Sequence, residues 1–270
     1  MTRSKVSVAV FARAYNLVRS MGILQLSWFR KAFISSYFLY KRLYEDPYWF
    51  LIRHRPELFL KGDILDIGAN IGYTACLFAS AASPSAKVYA FEPDRESYNT
   101  LVEEIQRRHL PAIIEPLPIA VGSEVGSVEL WHNKEHSADH RVVTPKFKES
   151  GVPGEEVASV TATTVDEFVR LRGLKRIAFV KIDVQGYELA VCEGMRLTLE
   201  QFPKAPVSIE YSPDSLCELG EEPSELLRFF RSRNYQIYVL TRSSLELSPD
   251  DQMIERLSKS AGYIDLVCMK

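Results

Sequence analysis

The chain has little cysteine and no long apolar run, and both absences narrow what it can be. Its four cysteines, Cys76, Cys192, Cys217 and Cys268, are widely spaced and include no C-x-x-C pair. That spacing fits neither a disulfide framework nor a zinc site, and reads as isolated thiols in a reducing cytoplasm. No apolar stretch approaches the roughly 20 residues that a membrane-spanning helix needs. The longest near the N-terminus, Val6–Ala12, is short, contains Ser7 and lacks a small-residue cleavage site, so it does not read as a signal peptide. A formal net charge of −2 across 270 residues does not suggest nucleic-acid binding. Nor does the body carry an Asn/Asp-Pro-Pro-Tyr/Phe motif.

Acidic residues are absent from Met1–Tyr44, which holds eight basic ones: Arg3, Lys5, Arg13, Arg19, Arg30, Lys31, Lys41 and Arg42. The remainder has 25 basic against 35 acidic residues, so a basic head precedes an acidic body. Phe29, Phe33, Tyr37, Tyr40 and Tyr44 recur in the head at helical spacing. We expect a helical extension over residues 1–60, packed on a domain of residues 61–270. Attachment of residues 1–44 to an anionic membrane surface, in an otherwise cytoplasmic protein, is the competing reading.

From Gly62 onward short apolar runs alternate with amphipathic patterns, the signature of a parallel α/β sheet. Strands are expected at Ile64–Ile67, Lys87–Phe91, Ile113–Val121, Ser127–Trp131, Ile177–Val184, Val207–Tyr211, Tyr235–Leu240 and Tyr263–Met269. Pro116 and Pro118 make the third irregular. His132–Val157 is polar and reads as one long loop. Thr164-Val165-Asp166-Glu167 has the capping-box pattern that opens a helix.

The first strand ends in Asp66 and runs into Gly68-Ala69-Asn70-Ile71-Gly72. A glycine at a strand-to-helix crossover lets the backbone approach a ligand closely. Glu92 ends the next strand, 26 residues after Asp66, where an acid can accept hydrogen bonds from both ribose hydroxyls. Together these features indicate a nucleoside-containing cofactor. The dinucleotide pattern G-x-G-x-x-G is missing, because Asn70 stands where the second glycine would clear space for a pyrophosphate. No Gly-Lys-Ser/Thr follows, so the Walker A pattern is absent too. S-adenosylmethionine, which has no phosphate, fits. A nicotinamide-dependent oxidoreductase and a non-catalytic binding module are the alternatives.

Two further strand ends face the same edge, in Lys181–Glu188 and Ile209–Tyr211. Asp183, Glu188 and Glu210 are therefore candidates for the reaction chamber. Glu188 could instead cap a helix. Lys181 falls on the same strand face as Asp183, and a lysine in an apolar strand needs a partner.

The runs LDIGANIGYT (Leu65–Thr74), AFEPD (Ala90–Asp94), VKIDVQGYE (Val180–Glu188) and SIEYS (Ser208–Ser212) resemble the FkbM-type methyltransferases, from about Asp63 to Tyr211. The resemblance implies a Rossmann-like, seven-stranded, mostly parallel sheet with helices on both faces and an antiparallel last strand. It also implies methyl transfer to oxygen, often on a sugar, glycan or natural-product hydroxyl. Carried over, Asp66, Gly68, Asn70, Gly72 and Glu92 would bind the cofactor, with Asp183, Gly186 and Glu188 facing the transferred methyl group. Ser137–Arg141 resembles a loop motif of some members.

A hydroxyl acceptor must lose a proton, and a positioned base should help by roughly 10²–10⁴-fold. Asp183 is the first candidate for that base, with Glu210 and His140 as further catalytic candidates. No metal ligand set is assigned, although Asp183, Glu210 and a histidine could hold one that lowers the hydroxyl pKa. The head and the His132–Val157 loop are the parts expected to cover the site.

Overall fold

A computed structural model of the chain describes residues 27–133, 140–151, 156–248 and 250–270. In chain order the strands are β1 (Asp63–Ile67), β2 (Val88–Phe91), β3 (Ile114–Leu117), β4 (Ala120–Val121), β5 (Gly126–Trp131) and β6 (Arg141–Val142). They continue as β7 (Val157–Thr163), β8 (Ile177–Ile182), β9 (Val207–Tyr211), β10 (Gln236–Leu240), β11 (Leu245–Leu247) and β12 (Ile264–Met269). The helices are α1 (Ser27–Tyr40), α2 (Tyr48–His54), α3 (Tyr73–Ala79), α4 (Arg95–Arg107), α5 (Pro145–Glu149) and α6 (Val165–Arg172). After them come α7 (Glu188–Glu193), α8 (Arg196–Gln201), α9 (Pro213–Leu219), α10 (Pro223–Arg231) and α11 (Asp251–Ala261).

The main sheet has the order β11-β10-β12-β9-β8-β1-β2-β3. β3, β2, β1, β8 and β9 are parallel, and β12 inserts antiparallel between β9 and β10. The Rossmann-like arrangement and antiparallel last strand are as expected. The sheet has eight strands rather than seven, because β11 turns back on β10 through Thr241–Ser244. At three residues, β11 is too short to carry a readable alternation. The chain winds from β1 outward to β2 and β3, then returns to β8 on the other side of β1. Ligands bind at such a switch point, outside the carboxyl ends of the strands.

Alternation along the strands divides the core between two faces. Leu65, Ile67, Phe91, Val180 and Ile182 pack on one side with residues of α6, α7 and α10. Ile64, Val88, Ala90 and Phe179 pack on the other with residues of α3 and α4. Tyr48, Leu51 and Phe59, upstream of β1, belong to this second core. Phe59 lies 4.8 Å and Phe78 5.6 Å from Phe179, centroid to centroid. α1 then lies against α4. Ile34 and Phe38 are buried, Arg30 donates to Thr100 and pairs with Glu103, and Arg108 covers the Phe38 ring. The basic head thus meets acidic α4. Its first 26 residues, with Arg3, Lys5, Arg13 and Arg19, lie outside the described residues.

The expected third strand breaks in two at its prolines. Pro116 is tolerated because β3 is the sheet edge, and after Pro118 the chain leaves for a second sheet, β4-β7-β5-β6. The expected long loop contains β6 and α5 and runs into β7, a strand missed for its small, weakly alternating VASVTAT sequence. α5 and α9 each open on a capping hydroxyl followed by proline, Thr144-Pro145 and Ser212-Pro213. Thr164 caps α6 by accepting from Glu167 N–H at 3.0 Å, as the capping-box pattern predicts.

Candidate active site

The turn after β1 is held in left-handed backbone conformations at Gly68 (φ +78°), Asn70 (φ +48°) and Gly72 (φ +89°). A Cβ on Gly68 would lie 1.8 Å from the carbonyl oxygen of Asp183, and one on Gly72 2.6 Å from Leu101 Cδ1. The glycines therefore let the turn seat between the end of β8 and α4. Asn70 N–H donates to Glu92 Oε2 at 2.7 Å, and Asp94 N–H donates to Oε1 at 2.9 Å. Glu92 is thereby fixed on the wall of the cavity above the turn. Each carboxylate oxygen keeps acceptor capacity for a ligand hydroxyl. Burial pushes its carboxyl up to about 7, against the two backbone donors.

Beneath the turn lies a charge cluster. Asp66 is wholly buried and accepts from Thr74 Oγ1 at 2.7 Å. Its register partner on β8 is Lys181. The Lys181 ammonium lies 3.5 Å from Asp66 Oδ1 and 3.1 Å from Asp183 Oδ2, and donates to Gly68 O at 3.0 Å. The expected Lys181–Asp183 partnership is present, with Asp66 as a third member. Burial would raise the Asp183 carboxyl, but Lys181 and Lys41 outweigh it and hold it below the usual range.

After β8, Gln185 (φ +55°) and Gly186 (φ +100°) form a second left-handed turn. Gln185 Nε2 donates to Asp183 Oδ1 at 3.0 Å and to Glu210 Oε1 at 3.2 Å, bridging the two carboxyl groups over the cavity. Burial and Asp183 drive Glu210 well above the ordinary carboxyl range. The Glu188 carboxylate faces away from the cavity. It accepts from Val184 N–H at 2.9 Å and Gly186 N–H at 3.0 Å, closing the turn. Asp66 and Glu188 thus stand behind the cavity wall as supports: Asp66 Oδ2 accepts from Thr74 while Oδ1 faces the Lys181 ammonium at 3.5 Å, and Glu188 takes the backbone amides.

His140 lines the same cavity from the Glu92 side. It stacks on His132 with centroids 4.5 Å apart, and both rings address Asp94: His132 Nδ1 at 2.8 Å from Oδ2 and His140 Nε2 at 3.5 Å from Oδ1. Asp94 also caps α4 through Ser97 N–H. Asn133 N–H donates to His140 Nδ1 at 3.1 Å, so the imidazole proton sits on Nε2. That tautomer turns the Nε2 proton toward Asp94, whose Oδ1 lies 3.5 Å away. Ser137, Ala138 and Asp139 of the anticipated loop motif lie outside the described residues.

Gln185, Lys41, Tyr37 and Tyr44 were not singled out for the site from sequence, yet all line the cavity. The last three come from the head, where α1 gives way to a five-residue π-type turn, Lys41–Glu45. Such wide turns often occur at functional sites. The signal for Gln185 was its place in the quoted IDVQGYE run. The head as a whole was expected to cover the site, but nothing in its spacing aimed Lys41 in particular at the cavity.

The cavity spans about 930 Å³ and joins the glycine turn, Glu92, Asp183, Gln185 and Glu210. A Cβ-free cradle and a carboxylate on the adjoining wall suit a nucleoside with an amino-acid tail. S-adenosylmethionine, expected from the sequence, is the cofactor of methyltransferases built this way, and the residues present fit it.

A model of the FkbM methyltransferase domain matches residues 66–237. The chain is 32% identical over 156 residues to the hexuronic acid methyltransferase AglP of Haloferax volcanii, an alignment covering 56% of this chain and 58% of that protein. The chain therefore spans under two thirds of that relative. It is 28% identical over 194 residues to the methyltransferase sdnD of Sordaria araneosa, covering 63% and 73%. The crystal structure of methyltransferase FkbM from Methylobacillus flagellatus superimposes with a TM-score of 0.48 at 16% identity, over 76% of this chain and 43% of that one. The oxidoreductase alternative gives way to the domain model and the two methyltransferase relatives. With more than half of its length matched by the domain model, the chain belongs to the FkbM methyltransferase family.

Proposed function

We propose that the protein transfers a methyl group from S-adenosylmethionine to a hydroxyl oxygen of a sugar, glycan or related natural product. One observation carries this reading: the glycine turn and the Asp183 strand end pack against each other within a single cavity. When bound, the cofactor supplies an electrophilic methyl group on a sulfonium. Gly68, Asn70 and Gly72 shape its seat and Glu92 accepts from its ribose, while Asp66 and Glu188 brace the two turns from behind. Asp183, kept ionised by Lys181 and Lys41, accepts the acceptor's proton. Gln185 holds that carboxylate in place, and Glu210, its carboxyl pushed well above the ordinary range by burial and Asp183, faces the acceptor beside it. The name of AglP, a hexuronic acid methyltransferase, supports a sugar as the acceptor class.

The test is incubation with labelled S-adenosylmethionine and a panel of sugar, glycan and natural-product hydroxyls. Asp183→Asn should lower turnover by about 10²–10⁴-fold while binding of S-adenosylhomocysteine persists. Calorimetry showing no binding of either cofactor form to the wild-type protein would overturn the reading.

A further inference from the structure

Among the described residues three cations line the cavity, and their partners differ. Lys181 is held by Asp183, Asp66 and Gly68 O. Arg141 pairs with Glu218 on α9. Lys41 instead rests against aromatic faces, 5.6 Å from the Tyr37 centroid and 5.9 Å from that of Tyr73. Among the described residues no carboxylate comes within ion-pair distance of its nitrogen. Of the acids around it, Asp183 and Asp46 are committed to other partners. Asp183 is bound by Lys181 and Gln185, and Asp46 accepts from Tyr73 Oη, Tyr48 N–H and Trp49 N–H. Burial and Asp183 hold the Glu210 carboxyl well above the ordinary range, and Glu45, one turn along the chain, lies beyond ion-pair distance.

We propose that Lys41 is the anion-binding subsite of the acceptor end, and that the acceptor is a polyhydroxylated molecule carrying a carboxylate or phosphate. This rests on the methyl-transfer reading and narrows its acceptor. A seated acceptor would strip water from the Lys41 ammonium, and a desolvated cation whose nearby carboxylates all lie beyond ion-pair distance is disfavoured. An anion on the acceptor resolves that conflict through a charge-assisted hydrogen bond. The neighbouring Tyr37 hydroxyl, with Asp183, Glu45 and Tyr263, offsets burial and keeps the ammonium charged. Tyr37, Tyr44 and Tyr263 supply flat walls for a ring-shaped acceptor. Lys41 lies upstream of the matched domain, so family membership assigns it no role.

The test uses the full chain saturated with S-adenosylhomocysteine, titrated calorimetrically with glucuronate, glucose 6-phosphate and glucose. At least one anionic sugar should bind at least about tenfold more tightly than glucose, as expected for a hydrogen bond to a charged group, and the stronger of the two identifies the anion. Lys41→Met should abolish that preference without changing affinity for S-adenosylhomocysteine, and Lys41→Arg should keep it. Equal binding of all three sugars, no binding of either anion, or an unchanged preference in Lys41→Met overturns the proposal. If Lys41→Met loses the cofactor product as well, Lys41→Gln against Lys41→Arg decides by the same preference. Failure of wild-type protein to bind S-adenosylhomocysteine would instead count against the methyltransferase reading, and the sugar titrations would then be run on the free protein.

Discussion

Lys181 and Asp183, two residues apart at the end of β8, form a 3.1 Å ion pair in which the lysine side chain is only 4% exposed. The same ammonium neutralises Asp66 at 3.5 Å. Lys181→Met should therefore strand two carboxylates and cost about 3–5 kcal/mol of stability, the usual penalty for breaking a buried pair. Urea unfolding measures it. Adding Asp66→Asn to Lys181→Met should recover part of the loss, since it removes one uncompensated charge. Simple additivity of the two would contradict the shared-cation arrangement.

The glycine turns make a sharper steric prediction. Gly68→Ala forces a Cβ to within 1.8 Å of the Asp183 carbonyl oxygen in a left-handed conformation. Gly186→Ala meets Ser215 O at 2.4 Å. The left-handed backbone alone makes alanine unfavourable by about 1 kcal/mol or more, and the contacts are with rigid backbone. Both variants should melt lower than wild type. Gly68→Ala should in addition lose S-adenosylhomocysteine binding, because the β1 turn must shift off Asp183.

Much of this architecture was legible because it is local. Acids at or next to the strand ends, Asp66, Glu92 and Asp183, follow from short apolar runs, and their convergence follows from the rules of parallel sheets. What could not be read depends on contacts between distant segments. β7 is stabilised by pairing with β5 and β4 rather than by its own pattern. Lys41 reaches the cavity only because α1 packs on α4 and then widens into a π-type turn. Glu188 had two plausible uses on sequence grounds, and the backbone amides of Val184 and Gly186 decide for the turn.

Glu92 should make cofactor binding pH-dependent. Its carboxyl is raised from 4.5 to about 7 by burial, and the ionised form is the pure acceptor for ribose hydroxyls. Affinity for S-adenosylhomocysteine should fall as pH drops below about 7, approaching tenfold per unit for one linked proton. Glu92→Gln should bind more weakly and lose this slope. The stability of the free protein has the opposite sign. The folded state holds the Glu92 proton more tightly than the unfolded state, so this residue's contribution is full below 4.5 and lost as pH rises toward 7. Calorimetric titrations and melting curves across pH 5–8 check both arms; Glu92→Gln should flatten the binding arm and reduce the stability slope, part of which remains because burial also raises Glu188 and Asp265 to about 7.

The last prediction concerns metal. Asp94, His132 and His140 bring three potential ligand atoms within 4.8 Å of one another, a spacing that a divalent cation could bridge. The hydrogen bonding argues otherwise. A neutral imidazole ligates through its unprotonated nitrogen and turns its N–H outward to an acceptor. His140 does the reverse: Nδ1 accepts from Asn133 N–H, leaving the proton on the Nε2 that faces Asp94. The cluster is therefore a hydrogen-bonded clasp joining the start of α4 to the segment after β5. Dialysis against a chelator should leave S-adenosylhomocysteine affinity and methyl transfer unchanged, and elemental analysis should find no stoichiometric metal. His140→Ala should loosen the clasp and weaken cofactor binding without creating any response to added zinc. Activity that falls on chelation and returns with a divalent cation would mean that Asn133 releases His140 to serve as a ligand.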